Sequence, residues 1–531
     1  MILAATCRVA FLVLAAIAVA CGSADGGGTP SATVSIPGRS PALPDCSLDL
    51  ASQQPLTVVY GGFEVDYLGD RFSLASGDFN DDGFDDALIG APLADGPGDS
   101  RLNSGEAYIL FGAETLPRSV DADVYDDFVV YGKAPQDNLG LSVAAGDVNG
   151  DGIDDVLVGA RFASPAGRGN AGETYVIFGS AGLSASVDTA AGDADVTISG
   201  IDPGDFSGIV VDAAEVTGDD ADDIIIGAIA GGGERNERPR AGEVYVVEGA
   251  RDLPATIDLS EDEPFFTIFG ASVDDALPGR LAAGDVDGDG RAEIVAGAPL
   301  GTPGGEVTLA AAGLAYVIAV PAGGGTLDLA ADAPLLSVRG ARLRDGLGHA
   351  LAVADVNDDG TGDVIVSARD ADGPAGDRNN AGEVYVFYGG DELQGAIDLA
   401  GEEPDVRITG TDTDDSLGFS LTTANLTGDG AADIVVGAAL ADSCGNSRAE
   451  AGEVYLIEGG DLGTMVDLLA DRSQPFLFGA ETHDELGFSL ATGDFNGDGT
   501  PEVIAGALLA DGPDDARENA GEAYIVELIG D

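Results

Sequence analysis

The chain is predicted to fold as an all-β, seven-bladed β-propeller with four antiparallel strands per blade and a ring closed by the N-terminal strand. Three observations carry this reading. An acidic loop recurs seven times, with its first position at Asp78, Asp147, Glu215, Asp285, Asp355, Asn425 and Asp494, at intervals of 69, 68, 70, 70, 70 and 69 residues. A fixed period identifies the repeating unit before any strand is assigned. Each repeat holds four short runs rich in Val, Ile, Tyr and Phe, punctuated by Gly, Asp and Asn, which favours strands over helices. The last repeat ends on a strand and lacks the run that would follow it, while a surplus run, Leu56–Tyr60, stands at the other end. If that run completes the last blade, no edge is left for another chain to pair with.

Taken in order, residues 1–20 read as an export signal: Arg8, then an apolar run from Val9 to Val19. The run is too short for a comfortable membrane span. Ala18-Val19-Ala20-Cys21 resembles the lipobox of bacterial lipoproteins, which implies a lipid on Cys21 and, with Gly22 following, sorting to an outer membrane or cell surface. Ordinary cleavage and secretion, or a periplasmic home, is the alternative. Residues 21–54 are rich in Gly, Ser, Pro and Thr without apolar periodicity and read as a flexible tether. Residues 55–531 are the propeller. Cys46 and Cys444 remain after processing, and their separation in sequence leaves open whether they pair.

Composition narrows the partners. With 44% hydrophobic residues the chain has material for a core, which separates it from a disordered acidic tail. Its net charge is −71 and Lys133 is the only lysine, so nucleic acid and anionic lipid surfaces are excluded as expected partners. Membrane association is expected only through the N-terminal lipid, and the chain is expected to be a monomer.

The fifth repeat shows the internal plan. Leu335–Gly340 is extended, a polar loop follows, and His349–Val356 leads into the acidic loop at Asp355. Asp363–Val366 is the next run, and Gly382–Gly389 closes the repeat. Middle runs such as Ile434-Val435-Val436 are apolar on both faces, as a blade sandwiched between two neighbours requires.

The acidic loops carry side-chain oxygens at positions 1, 3, 5 and 9, a carbonyl at position 7 and glycine at position 6. Hard cations such as Ca²⁺ take six to eight oxygens at about 2.3–2.6 Å, and glycine permits the tight turn that gathers them. Five loops are complete: Asp78, Asn80, Asp82, Phe84 and Asp86; Asp147, Asn149, Asp151, Ile153 and Asp155; Asp285, Asp287, Asp289, Arg291 and Glu293; Asp355, Asn357, Asp359, Thr361 and Asp363; Asp494, Asn496, Asp498, Thr500 and Glu502. The sixth is weaker, with Asn425 and Thr427 beside Asp429 and Asp433. The third, Glu215, Thr217, Asp219 and Asp223, has Asp220 where glycine belongs, so its turn is expected to be strained, and the residues leave open whether it holds an ion. About five to seven Ca²⁺ ions are expected, in a structural role: nothing marks one copy as special, and catalysis would need an open coordination position with a proton-transfer partner. Ordinary polar turns are the competing reading.

Aromatic–glycine pairs (Tyr60-Gly61, Tyr131-Gly132, Phe269-Gly270, Phe478-Gly479) and Gly-Ala-Pro ends (Gly90-Ala91-Pro92, Gly297-Ala298-Pro299) frame these loops. As a set they resemble FG-GAP repeats of the integrin α-subunit propeller, which also occur in bacterial surface proteins. Arg339 and Thr409 replace the aromatic, and Ser367-Ala368 replaces Gly-Ala. The resemblance covers nearly everything after Gln54 and implies an adhesion or recognition role.

The face opposite the acidic loops carries a second recurring set: Asp66, Asp137, Asp205, Asp275, Asp345, Asp415 and Asp484, with arginines Arg168, Arg235, Arg378, Arg448 and Arg517 in neighbouring loops. These are either turn caps and ion pairs or a platform for a protein or glycan ligand. A lipid at Cys21 would leave from the acidic-loop face, so the opposite face is expected to point outward. The alternative function is a hydrolase or lyase with a pocket at the central channel mouth, and a third is a purely structural component. The chain has only His349, which replaces the Phe of Phe72, Phe419 and Phe488 and is expected in the core, and His483 in a surface loop. No catalytic residues and no enzymatic activity are therefore expected. One asymmetric polar pocket at the mouth would favour the enzyme, and a broad loop surface would favour recognition.

Overall fold

The computed structural model describes residues 49–52, 54–125, 127–303, 309–471, 475–513 and 516–528. The export signal, Cys21, Cys46 and all but the last few tether residues lie outside the described residues, as does the side chain of Cys444.

The molecule is all-β, with seven sheets built as blades. In the first repeat β1 is Thr57–Tyr60, β2 Leu74–Gly77, β3 Asp86–Ala91, β4 Glu106–Leu110, β5 Ser119–Asp121 and β6 Val129–Tyr131. β2, β3, β4 and β6 form the antiparallel meander of blade 1. β1 belongs elsewhere: it runs antiparallel to Glu522–Val526, with Val59 opposite Ala523, and so completes the blade built by the last repeat. The ring closes by the N-terminal strand, as the surplus run requires.

Six of the seven blades are wider than the four-strand plan. The segment joining the third and fourth strands of a repeat crosses to the preceding blade and adds a short parallel strand to its rim. β5 pairs with β1 in this way, and Ser186–Asp188 with β6. Six such strands raise the plan's 28 to the 34 described. The sixth blade has an isolated parallel bridge between Asp49 and Phe478 at the corresponding place.

The core sits in the seams between blades. The second strand of every blade is buried along its whole length, as in Asp86–Ala91 and Asp433–Ala438. Alternation sends Ala87 and Ile89 into the seam with the last blade, against Ile504 and Ile525, and Leu88 into the seam with blade 2, against Val158. Seven apolar clusters fill seven seams. The motif glycines mark where blades come closest. A Cβ on Gly90 would lie 1.9 Å from the carbonyl oxygen of Gly140 in the next blade, so no side chain is possible there.

Bidentate ion pairs hold the rim strands. Arg101 grips Asp188 with nitrogen–oxygen distances of 2.7 and 2.5 Å, Arg378 grips Asp467 at 2.9 and 3.0 Å, and Arg517 grips Asp121 at 2.6 and 2.9 Å. Arg168–Asp258 and Arg238–Asp328 repeat the arrangement, while Arg448 reaches Asp49 through Nη1 alone, at 2.7 Å. The arginines of these loops thus serve as clasps. In the third blade the clasp is Arg238, not Arg235, which is exposed and meets only Glu234. The companion aspartates cap turns: Asp66, Asp137, Asp345, Asp415 and Asp484 each accept the N–H of the residue three positions earlier.

Deleting the chain through Gly61 exposes the last strand and removes the buried Thr57, Val58 and Val59. A loss of roughly 4–6 kcal/mol is expected from two or three buried side chains, read by denaturant unfolding; unchanged stability would contradict closure. Burial raises Asp66, Asp205 and Asp345 to about 7 and Asp137, Asp275 and Asp415 to about 6. Carboxyls raised above their unfolded values favour the folded state below about pH 4, and that contribution is lost as pH rises through 6 to 7. With excess chelator, the melting temperature is expected to fall by roughly 5 °C or more between pH 5 and pH 8.

Candidate metal loops

Each acidic loop joins the innermost strand of a blade to the second, so all seven lie on one face. The position-9 carboxylate anchors the loop from beneath. Asp86 is fully buried; its Oδ2 accepts the N–H of Phe79 at 3.1 Å and its Oδ1 that of Gly112, beyond the third strand, at 2.8 Å. Asp155, Asp223, Asp363 and Asp433 make the same double tie. Burial, reinforced by the nearby loop carboxylates, pushes Asp86, Asp155, Glu293 and Glu502 up to about 7.

Above this anchor the chain curls around position 1. Asp78 accepts N–H groups from Asp82 at 3.1 Å and Gly83 at 2.9 Å, and Asp147, Asp355 and Asp494 do the same at positions 5 and 6 of their loops. Asp82, Asp151, Asp289, Asp359 and Asp498 accept the N–H of Phe84, Ile153, Arg291, Thr361 and Thr500. Position 6 has positive φ throughout: Gly499 at 89°, and in the third loop Asp220 at 75°, a conformation costly for a residue with a Cβ.

Two features escaped the sequence reading. Position 4 is also left-handed, filled by glycine or by Asp81 (58°) and Asp358 (60°), residues that tolerate this region. Position 8 links the loops around the face: Asp85 accepts the N–H of Asp494 at 2.8 Å, Asp154 that of Asp78 at 3.0 Å, and Asp222 that of Asp147 at 3.0 Å. Where position 8 is Ala292, Gly362 or Ala432, its own N–H still reaches the position-1 carbonyl of the preceding blade.

The donor sets differ among the loops. Among the described residues two bring three carboxylates together, with oxygens within 4.8 Å of one another: Asp285, Asp287 and Asp289, and Asp494, Asp498 and Glu502. In the fourth loop Arg291 also reaches Asp289 at 2.8 Å and is a built-in competitor for a bound ion. In the first loop Asn80 Oδ1, and in the sixth Asn425 Oδ1, are buried without a hydrogen-bond partner, as unmet ligands would be. In the second loop Asn149 instead turns its amide nitrogen to Asp155 at 3.0 Å, and in the fifth Asn357 Oδ1 takes the N–H of Asp359 at 2.9 Å. In the third and sixth loops the Thr217 and Thr427 hydroxyls donate to Asp223 and Asp433 at 3.3 and 3.4 Å, closing the gap with a hydrogen bond. The all-oxygen, acidic donor sets suit a hard divalent cation best in the seventh loop.

Against known proteins, the FG-GAP repeat model matches six stretches, 72–110, 139–177, 278–318, 347–387, 417–457 and 486–526. The third blade, with Asp220 in its turn, is not among them, although its strands are in place. The chain is 35% identical over 199 residues to phosphatidylinositol-glycan-specific phospholipase D of Bos taurus, covering 35% of this chain and 22% of that protein. It is 37% identical over 120 residues to integrin alpha-PS2 of Drosophila melanogaster, covering 22% of this chain and 8% of that protein. With integrin alpha pat-2 of Caenorhabditis briggsae it shares 31% identity over 248 residues, 44% of this chain and 18% of that protein. The chain thus spans less than a quarter of the length of these curated relatives. The matched repeats, the alignments to integrin α subunits and the seven closed blades lead to one conclusion: the chain is an FG-GAP repeat protein with an integrin-α-like β-propeller.

Proposed function

We propose that this protein is an exported, lipid-anchored recognition propeller whose blades are stiffened by Ca²⁺ in the acidic loops. The observation that carries the proposal is the convergence of Asp494, Asp498 and Glu502 on a common space under a left-handed glycine turn. Three carboxylates that close repel one another, and a divalent ion removes that repulsion while fixing the hairpin. The role is structural, because the loops are tied to the blade and to each other rather than opened toward a substrate. Ligand recognition, of a protein or a glycan, belongs to the opposite face, where loops of varied length ride on a rigid scaffold. The export signal, the lipid on Cys21 and the outward orientation of that face are carried by the N-terminal residues alone.

An enzyme is the second reading, and one observation favours it: the channel mouth opposite the acidic loops is polar and asymmetric. His349 lies there, buried, touching Arg71 and Arg369. Burial and those cations hold its imidazole well below the ordinary range, so it stays neutral at physiological pH. A neutral histidine beside guanidiniums is poorly placed as a general acid, which ranks this reading below recognition.

Calorimetric unfolding tests the metal. Calcium at 100 times its dissociation constant is expected to stabilise the fold by about 2.7 kcal/mol per site relative to chelator, and Asp498→Asn is expected to remove one site's share. Asp219→Asn, in the third loop, is expected to leave the calcium effect unchanged. A melting temperature indifferent to calcium would refute the structural role. For orientation, proximity labelling from lipid headgroups is expected to mark the acidic-loop face; labelling mainly at Asp66 and Asp415 would refute it.

A further inference from the structure

Two groups among the arginines of this acidic chain have different partners. Six clasp rim aspartates as described. Four others gather at the channel mouth on the face opposite the acidic loops: Arg71 and Arg280 where inner strands begin, Arg161 and Arg369 directly after second strands. Arg71 Nη2 lies 2.9 Å from His349 Nδ1 and also touches Nε2, and Arg369 Nη1 lies 3.3 Å from Nε2. Arg280 Nη1 donates to the Arg71 carbonyl at 3.2 Å. Phenyl rings support them: Arg71 and Arg280 lie 5.5 and 4.9 Å from the centre of Phe72, Arg71 and Arg369 5.6 and 4.9 Å from Phe419.

What these arginines lack is a carboxylate in contact. Among the described residues only Arg369 has one within 4.0 Å, with Asp370 at 3.5 Å; Arg71, Arg161 and Arg280 have none, and Arg161 Nε is buried without a hydrogen-bond partner. Asp70 acts on both Arg161 and Arg71 from a distance, Asp370 on Arg71 and Asp212 on Arg280, yet Arg71 is still pushed down to about 9 by burial and by Arg369 and Arg280. A chain with 94 acidic residues and 23 basic ones has left three guanidiniums without a contacting carboxylate in one place. Their planar forks match an oxyanion in two-point contact.

Beneath Arg280 and Phe72 lies a cavity of ≈ 230 Å³ lined by inner strands, whose walls include Arg280 but not Arg71. Its polar side chains are Ser76, which donates to the Thr492 carbonyl, Ser142, which accepts the Val211 N–H, and Asp212, which accepts the Ala213 N–H. That is below the range of about 300–1,000 Å³ typical of drug-sized ligands, so it suits a small molecule and not a polymer. Hydroxyls, backbone groups and a carboxylate on a largely polar wall suit a body bearing several hydroxyl groups.

We propose that the channel mouth binds a small sugar-like anion, its oxyanion head on Arg71 and Arg280 and its hydroxylated body against Ser76, Ser142 and Asp212. The head is a carboxylate or a phosphate. The site lies inside the channel, so its binding stands apart from calcium and from any ligand of the outer loops.

Titration calorimetry on the full chain in calcium decides it, with D-glucuronate, D-glucose 6-phosphate, inorganic phosphate and D-glucose as probes. Glucuronate, glucose 6-phosphate or both are expected to bind below about 1 mM, and whichever binds identifies the head. Glucose is expected not to bind, and inorganic phosphate to bind at least about tenfold more weakly. Arg280→Gln and Arg71→Gln, each checked for an unchanged circular dichroism spectrum, are expected to weaken binding about tenfold or more. Arg378→Gln, a clasp variant, is expected to leave it within about twofold. Failure of both acid-headed sugars to bind, binding indifferent to Arg280→Gln and Arg71→Gln, or inorganic phosphate binding as tightly as the sugars would overturn the proposal.

Discussion

Charge is the constraint under which this fold is built. Seven acidic hairpins stand on one face of a chain with a net charge of −71, and among the described residues two of them bring three carboxylates within 4.8 Å of one another. Cohesion comes from the apolar seams, where second strands such as Asp86–Ala91 are wholly buried. The seams fix where the hairpins sit, and the hairpins must then manage their charge. The chain does so differently at different depths. The position-9 carboxylates sink beneath the loop and are held by backbone N–H groups. Positions 1, 3 and 5 remain near the surface, where a divalent cation serves as the counter-charge in the proposed function. On the opposite face arginines take over, five of them clasping rim aspartates two-pronged.

These solutions are local, and their failures are instructive. The fourth repeat has no arginine between Arg291 and Arg339, so its rim aspartate, Asp398, has no clasp of this kind. The third repeat has Asp220 in a left-handed turn and escapes the repeat model, yet its strands pair normally, because the seams and not the loop decide the blade. A propeller can thus lose a loop without losing a blade. It cannot as easily lose the pairing of Thr57–Tyr60 with Glu522–Val526, which closes the ring.

Much of this was legible in the residues. The period, the four strands, the closing strand and the ligand positions all rest on local patterns, namely spacing, alternation and turn chemistry. What escaped depends on contacts between repeats. Ser119-Val120-Asp121 is too short to register as a strand, and only its partner across the seam makes it one. Arg235 and Arg238 lie three apart in one loop, and only the fold says which reaches Asp328. Asp154 looks like one more acidic residue until it is seen to accept the N–H of Asp78 in the neighbouring blade. The gathering of Arg71, Arg161, Arg280 and Arg369 was the least visible, since four scattered arginines meet only after the ring has closed. His349, which the Phe pattern places in the core, is buried and also forms one wall of that cationic mouth.

The central claim, a ring of hairpins stapled by divalent ions, is tested most directly by counting metal. Elemental analysis of the purified protein, equilibrated with calcium and then freed of unbound ion, should return about five to six ions per chain. A result of zero or one would show that the acidic loops are ordinary turns and that the fold carries its charge without metal.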